Sequence, residues 1–221
     1  MKRTALAAVC ILGMSFCNST ASYGGEKGND NVTKTYEVED FNGIHTSGSF
    51  RIYYTQGTRG VSVSAPAEAL ENLTVEVREG TLHLGMKKKN IRIKEWKKIT
   101  ANISSPALNR VHISGAGDFE AADGITTDNF DVKVSGAGDI VIDKFKAKEA
   151  NFQVSGAGEI DITDLDCESI NTKVSGAGDI CVSGKANTAN FEVSGAGDIN
   201  IKNLNCPEIG TSISGSGKIR Q

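Results

Sequence analysis

The chain has 221 residues, with 38% hydrophobic, 23% charged and 6% aromatic side chains and a formal charge of −3. Glycine is abundant at 25 residues while proline numbers only 3, which excludes a Pro/Gly-rich disordered chain, and the glycines follow no three-residue period, which excludes collagen. The mildly acidic balance gives no electrostatic reason to bind nucleic acid or an anionic membrane.

Met1-Lys2-Arg3 precedes an apolar stretch from Thr4 to Phe16 and a small-residue ending, Ser19-Thr20-Ala21. A basic start, a short apolar run and a small-x-Ala site describe a secretory signal peptide over residues 1–21, cut after Ala21. The run is too short to span a bilayer, and no later segment approaches about 18 apolar residues, so an integral membrane protein is not expected. The expected destination is the periplasm, the cell surface or the medium. Cys17 raises lipid anchoring as an alternative, but Met14-Ser15-Phe16 is a poor lipobox because Phe16 is bulky. Residues 22–34 are Gly/Asn/Asp/Lys-rich and read as a flexible tether. One domain, 35–221, remains.

Its first part, 35–106, alternates apolar and polar residues in short runs: Phe50-Arg51-Ile52, Val61-Ser62-Val63, Val75-Glu76-Val77 and Leu82-His83-Leu84. Such alternation predicts strands. Glu79-Gly80 predicts a hairpin turn, 66–71 a single helical turn, and Ser47-Gly48-Ser49-Phe50 a degenerate form of the corner described next. The expectation is irregular β-structure that caps the first turn of a repeat. The Lys-rich run from Met86 to Lys98 reads as a solvated, aggregation-blocking edge rather than a docking patch.

Residues 107–221 are an internal repeat. Six copies of Ser-Gly-small-Gly-polar-apolar begin at Ser114, Ser135, Ser155, Ser175, Ser194 and Ser214, at intervals of 21, 20, 20, 19 and 20 residues. Alternating runs flank them, as in Phe130-Asp131-Val132-Lys133-Val134 and Ile160-Asp161-Ile162. A crossover helix would need about 30 residues per unit. Strand, tight corner and strand every 20 residues therefore predict an all-β fold, a parallel β-helix (solenoid) with one coil per repeat and, by the usual crossover rule, a right-handed winding. The inward columns Phe130/Val132, Ala150/Phe152, Ile170/Thr172, Ala189/Phe191 and Ile209/Thr211 exchange large and small side chains between neighbouring coils, as dense packing requires. Phe145, Leu165 and Leu204 mark a third side, with Ala147, Cys167 and Cys206 two residues on.

Several of these residues are familiar as a set: Phe41-Asn42-Gly43-Ile44, Gly48-Ser49-Phe50-Arg51-Ile52, Gln56-Gly57, Leu73 to Val77 through Gly80-Thr81-Leu82, Pro106-Ala107-Leu108 and the Ser-Gly-Ala-Gly-Asp-Ile repeats. Over roughly 36–219 the chain resembles the auto-transporter adhesin, head GIN domain family, found mainly in exported proteins of Bacteroidetes. The resemblance implies a right-handed β-helix outside the cytoplasm and an adhesin-like role. It brings no catalytic residues with it. No translocating barrel or cell-wall sorting signal is visible in the sequence.

Candidate sites follow from the coil register. Asp118, Asp139, Glu159, Asp179 and Asp198, ended by Lys218, should form an acidic column about 5 Å apart. Such a column could be a cation ladder for Ca²⁺, or each carboxylate could accept corner N–H groups, as Asp does at turns. The corner glycines (Gly115, Gly117, Gly136, Gly138, Gly156, Gly158, Gly176, Gly178, Gly195, Gly197, Gly215 and Gly217) read as structural, permitting positive φ and close stacking. None continues into a phosphate-binding signature, and no motif calls for a cofactor. His45, His83 and His112 are far apart and lack metal-ligand spacing, and Lys133, Lys144, Lys146 and Lys173 look scattered, so no catalytic residue is assigned. Tyr53, Tyr54 and Trp96 are the only aromatic platforms available to a glycan. Cys167 and Cys206 should lie two coils apart, beyond disulfide reach, as buried, inert thiols. The reading is an exported, non-enzymatic, adhesin-like or structural protein of the cell envelope, with a glycan- or Ca²⁺-binding module as the alternative and a degenerate polysaccharide-active enzyme as a third. The partner stays open among a cell-surface protein, a glycan and further copies in a homo-oligomer.

Overall fold

A computed structural model describes residues 31–87 and 99–221. The signal peptide, Cys17, most of the tether, and Trp96 with most of the Lys-rich run lie outside the described residues.

The first described strands are β1 (Asn31–Thr35), β2 (Gly43–Thr46), β3 (Arg51–Gln56) and β4 (Gly60–Pro66). A short helix, α1 (Ala67–Glu71), then leads to the hairpin β5 (Leu73–Arg78) and β6 (Thr81–Met86). Glu79 and Gly80 form its turn with φ of 49° and 68°, the two positive values that a tight two-residue turn needs. Next come β7 (Thr100–Ser105), β8 (Arg110–Ile113), β9 (Asp118–Ala121) and β10 (Ile125–Thr126). The regular coils follow in β11 (Asn129–Val134), β12 (Ile140–Ile142), β13 (Phe145–Val154), β14 (Ile160–Val174) and β15 (Ile180–Val193). The last are β16 (Ile199–Asn200), β17 (Leu204–Asn205), β18 (Glu208–Ile213) and β19 (Ile219–Arg220).

Parallel pairing stacks the coils into a three-sided solenoid. One side runs β6, β2, β8, β11, β13, β14, β15, β18. A second runs β7, β3, β9, β12, β14, β15, β16, β19. The third runs β10, β13, β14, β15, β17. β13, β14 and β15 serve more than one side because they bend around a corner. The β2–β3 coil lies inside the stack, between β6–β7 and β8–β9, and antiparallel β5, β4 and β1 close that end. The first half thus lies over the first end of the repeat.

One boundary needs correction. Residues up to 34 read as tether, yet Asn31–Thr35 is a strand whose backbone pairs with Ser62–Pro66 of β4. Its side chains are mostly exposed, so no apolar alternation announced it. Its place in the sheet is set by main-chain pairing with β4.

The corners explain the glycines, though for one reason rather than two. Their φ angles are not positive; among the described residues only Gly80, Gly124 and Gly184 are glycines with positive φ. The cause is contact with the coil beneath. A Cβ on Gly136 would sit 1.7 Å from the carbonyl oxygen of Gly115, and one on Gly156 1.8 Å from that of Gly136. Each corner is meanwhile bonded to the last: Ala137 N–H donates to Gly115 O at 3.0 Å, and Ala157 and Ala177 repeat the bond at 2.9 Å. The degenerate corner takes part, since Ala116 N–H donates to Gly48 O at 3.2 Å.

Inside, Phe130 stacks on Ala150, Ile170, Ala189 and Ile209 in register, and Val132 on Phe152, Thr172, Phe191 and Thr211. The large–small exchange fills the core through Phe191, and the rings of Phe130, Phe145 and Phe152 meet at 5.1–6.4 Å. The last coil breaks the pattern: Ile209 and Thr211 are exposed because no strand covers β18 among the described residues. The 19-residue interval is visible as well. β15 is one residue short at the bend: Ser183 alone separates Val182 from Gly184, which has φ 128°, where β14 has Thr163 and Asp164, the latter at φ 51°.

Candidate functional site

The outward residues of each side form columns that run along the solenoid. In the acidic column, Asp139 Oδ1 accepts the N–H of Glu159 at 3.0 Å, Asp179 that of Asp198 at 2.7 Å and Asp198 that of Lys218 at 2.9 Å. The other oxygen of Asp198 takes Arg220 at 2.6 Å, and Asp118 lies 3.8 Å from Arg51. A corner aspartate thus reaches the next coil's backbone, as turn carboxylates do. Glu159, one methylene longer, makes no such bond among the described residues, and burial followed by the charges of Asp139, Asp161 and Asp179 raises its carboxyl above the usual range. Among the described residues no group of three or more His, Cys, Asp or Glu side chains is arranged to hold a metal ion.

The histidines, which looked unrelated in the sequence, are brought together. His83, His45 and His112 are register neighbours on β6, β2 and β8. His45 Nδ1 lies 3.2 Å from His83 Nδ1, and its ring stacks on His112 with centroids 4.6 Å apart. Ser114 Oγ meets His45 Nε2 at 3.2 Å. Burial, then the neighbouring imidazoles, lowers the pKa of His45; burial, then Lys133, lowers that of His112. The surroundings of His45 and His112 therefore favour the neutral ring. Spacing could not reveal it, because the second coil visits the stack out of sequence order.

The lysines also gather more than their spacing suggested. Lys146 and Lys185 flank Asp166 at 3.6 and 3.4 Å, and Lys144 lines the same 600 Å³ groove on the third side. These side chains are exposed, so the arrangement is an ion-pair network in solvent. Lys133 and Lys173 stand on a different side, and Lys173 is bound to Glu192 at 2.7 Å. Of the tyrosines, Tyr54 points inward, its hydroxyl 3.0 Å from Ser105 Oγ, while Tyr53 is 38% exposed.

Cys167 is buried, donates its thiol to Ser169 O at 3.0 Å, and has its pKa raised chiefly by burial. Cys206 is only partly buried, which corrects the expectation of two buried thiols; it belongs to the uncovered last coil. Cys181 stands in the outward column with Val141, Asp161 and Asn200.

A feature not singled out in the sequence is an amide ladder. Asn151, Asn171 and Asn190 share one column, with Asn171 Nδ2 donating to Asn151 Oδ1 and Asn190 Nδ2 to Asn171 Oδ1, each at 3.2 Å. Their recurrence at intervals of 20 and 19 residues was the available signal. They line a groove of about 560 Å³ along the solenoid axis.

This architecture is shared with solved structures. A "putative adhesin" from Bacteroides fragilis superposes with a TM-score of 0.73 at 26% identity, covering 89% of this chain and 99% of that one. A "putative lipid binding protein" from Parabacteroides distasonis gives 0.72 at 21% identity, covering 88% and 97%, and a "putative adhesin" from Parabacteroides merdae gives 0.56 at 17%, covering 86% and 95%. The latter two show the fold alone. No curated protein matches the chain. The family profile described as "Putative auto-transporter adhesin, head GIN domain" matches residues 40–162 and 141–221, which together cover every described strand except β1, and the chain belongs to that family.

Proposed function

We propose that the chain is an exported, non-enzymatic, adhesin-like interaction protein of the cell envelope that works by presenting a rigid lateral surface. The observation that carries this is the division of labour within each coil. Inward positions up to β15 form a continuous core, whereas the outward polar side chains stand in exposed columns along the solenoid. Rigid, periodic presentation suits contact with an extended partner, because little ordering entropy is lost on binding. The family and the Bacteroides fragilis neighbour support the reading.

Beads coated with the chain, passed over immobilised envelope extracts and cultured cell layers, should be retained saturably and be displaced by the soluble chain. Retention equal to that of uncoated beads would overturn it. The export component predicts a mature N-terminus at Ser22 by mass spectrometry. An intact Met1 on the mature protein would sink export, and a lipid-modified Cys17 would replace release with anchoring.

The Lys146–Asp166–Lys185 cluster makes a polysaccharide-active site the second reading. Release of unsaturated uronates from polygalacturonate would establish it, and we expect none, because these groups are solvated rather than desolvated for proton transfer.

A further inference from the structure

We infer that the amide-lined groove on the β11–β13–β14–β15–β18 side is a binding site for a neutral, extended glycan. This rests on the interaction-protein reading above and adds a place and a ligand class to it. Asp131, Asn151, Asn171, Asn190 and Gly210 are successive register partners, so one wall of the groove repeats at every coil over four coil spacings, about 19 Å. The volume of about 560 Å³ lies within the usual range of ligand sites.

The chemistry of the walls selects the ligand. A carboxamide both donates and accepts, which matches a sugar hydroxyl with the same dual capacity. The ladder fixes each amide plane, since Asn171 is held on both sides and Asn190 on one. At the end of the ladder the next residue is Gly210, which offers no side chain, and among the described residues no donor meets Asn190 Oδ1. Even a Cβ at Gly210 would lie 2.5 Å from that oxygen. An acceptor therefore stands open where the repeat would otherwise have closed it.

Other ligand classes fit poorly. In the neighbouring outward column Lys173 is neutralised by Glu192 at 2.7 Å, and Asp131 begins the amide column with a negative charge, so the groove lining offers a polyanion no net positive charge. A peptide strand needs an open sheet edge, which this groove meets only at its β18 end; over β11, β13, β14 and β15 the floor is mid-sheet, with its backbone consumed by parallel pairing on both flanks.

The test uses the purified chain with a panel of neutral linear hexasaccharides (β-glucan, xylan and mannan types), a polygalacturonate hexamer and an uncharged peptide, read by calorimetry. The expected result is binding of at least one neutral hexasaccharide and of neither control. The N171A/N190A double variant should weaken it about tenfold or more, the loss of two amide hydrogen bonds. Gly210→Asn, which crowds the open acceptor, should weaken it too. Thermal melts of both variants within a few degrees of the parent keep a folding defect from imitating the result. The proposal is overturned if no neutral hexasaccharide binds, if the variants bind as the parent does, or if only Tyr53→Ala abolishes binding, which would move the site to that exposed ring. Beads that still adhere while no hexasaccharide binds would remove this groove and leave the interaction role standing; loss of both would remove both.

Discussion

The two ends of the solenoid are finished differently. At the first, the β2–β3 coil is covered by β6–β7 and then by antiparallel strands, and Ile44 and Ile52 are fully buried. At the last, β18 pairs with β15 on one flank only, and Ile209 and Ile213 are 37% and 51% exposed. Ile170 occupies the position of Ile209 two coils earlier and is fully buried. The same residue at the same place in the coil is core or surface according to what lies above it. Periodicity thus specifies the coil, while burial is conferred by neighbours, and a covered end requires sequence that departs from the repeat.

The largest effect should come from the feature that makes covering possible. Gly156→Ala places a methyl 1.8 Å from Gly136 O, so the corner cannot seat, and we expect a loss of at least about 4 kcal/mol, or no soluble folded protein. Gly57→Ala, where nothing lies within 4 Å, should leave the denaturation midpoint unchanged within about 0.5 kcal/mol. Equal effects at the two sites would show that stacking is not what the corner glycines serve.

Next in size is the contrast between interior and last coil. Phe152→Ala should cost about 4 kcal/mol in chemical denaturation, as for other buried rings, against less than about 1 kcal/mol for Ile209→Ala. A similar cost at both would mean that the last coil is covered in solution. Thr172 sharpens the same point from the opposite direction: it sits in the core column, its Oγ1 is buried, and among the described residues no partner meets that hydroxyl. Thr172→Val keeps the shape, removes the unpaired hydroxyl, and should raise stability by about 1 kcal/mol.

A smaller, local effect should mark the first end. His45 and His112 have folded pKa values below the unfolded value, so the unfolded chain binds more protons in that window. Stability is therefore full above the unfolded pKa of about 6.5 and declines as pH falls below it. Hydrogen exchange should show β2, β6 and β8 losing protection before β13–β15 on acidification, with His83, Glu76, Lys133 and Asp131 as the neighbouring polar and titratable groups. Simultaneous loss would refute it. The smallest expected effect is zero: melts with calcium and with chelator should superimpose, because Asp139, Asp179 and Asp198 already hold backbone N–H groups.

What the sequence made legible follows the same division. The repeat announced the coils, their corners and the alternating core, because equivalent residues recur where the chain returns to the same place. The hairpin at Glu79-Gly80 and the helical turn after Pro66 were legible from local chemistry. The histidine column was not, since β6 precedes β2 in the stack but follows it in the chain. β1 was invisible because an edge strand held by its backbone needs no apolar side chains. Cys206 was misjudged because equivalence to Cys167 says nothing about the absence of a coil above it. The reason for the corner glycines was half right: close approach, without positive φ.

The seating of each corner on the one before has a consequence for how such a molecule can change in length. A single-residue insertion within one Ser-Gly-Ala-Gly would shift that corner's carbonyls off the glycines stacked against them. A whole repeat, cut and rejoined at two equivalent corners, would present the same surface to the coil beyond. The bend leading into the third side is more forgiving: β15 is one residue shorter there than β14, and stacking continues on both sides of it. Duplication and deletion by complete coils, with odd residues absorbed only at that bend, are the changes the architecture can accept while every other contact is preserved.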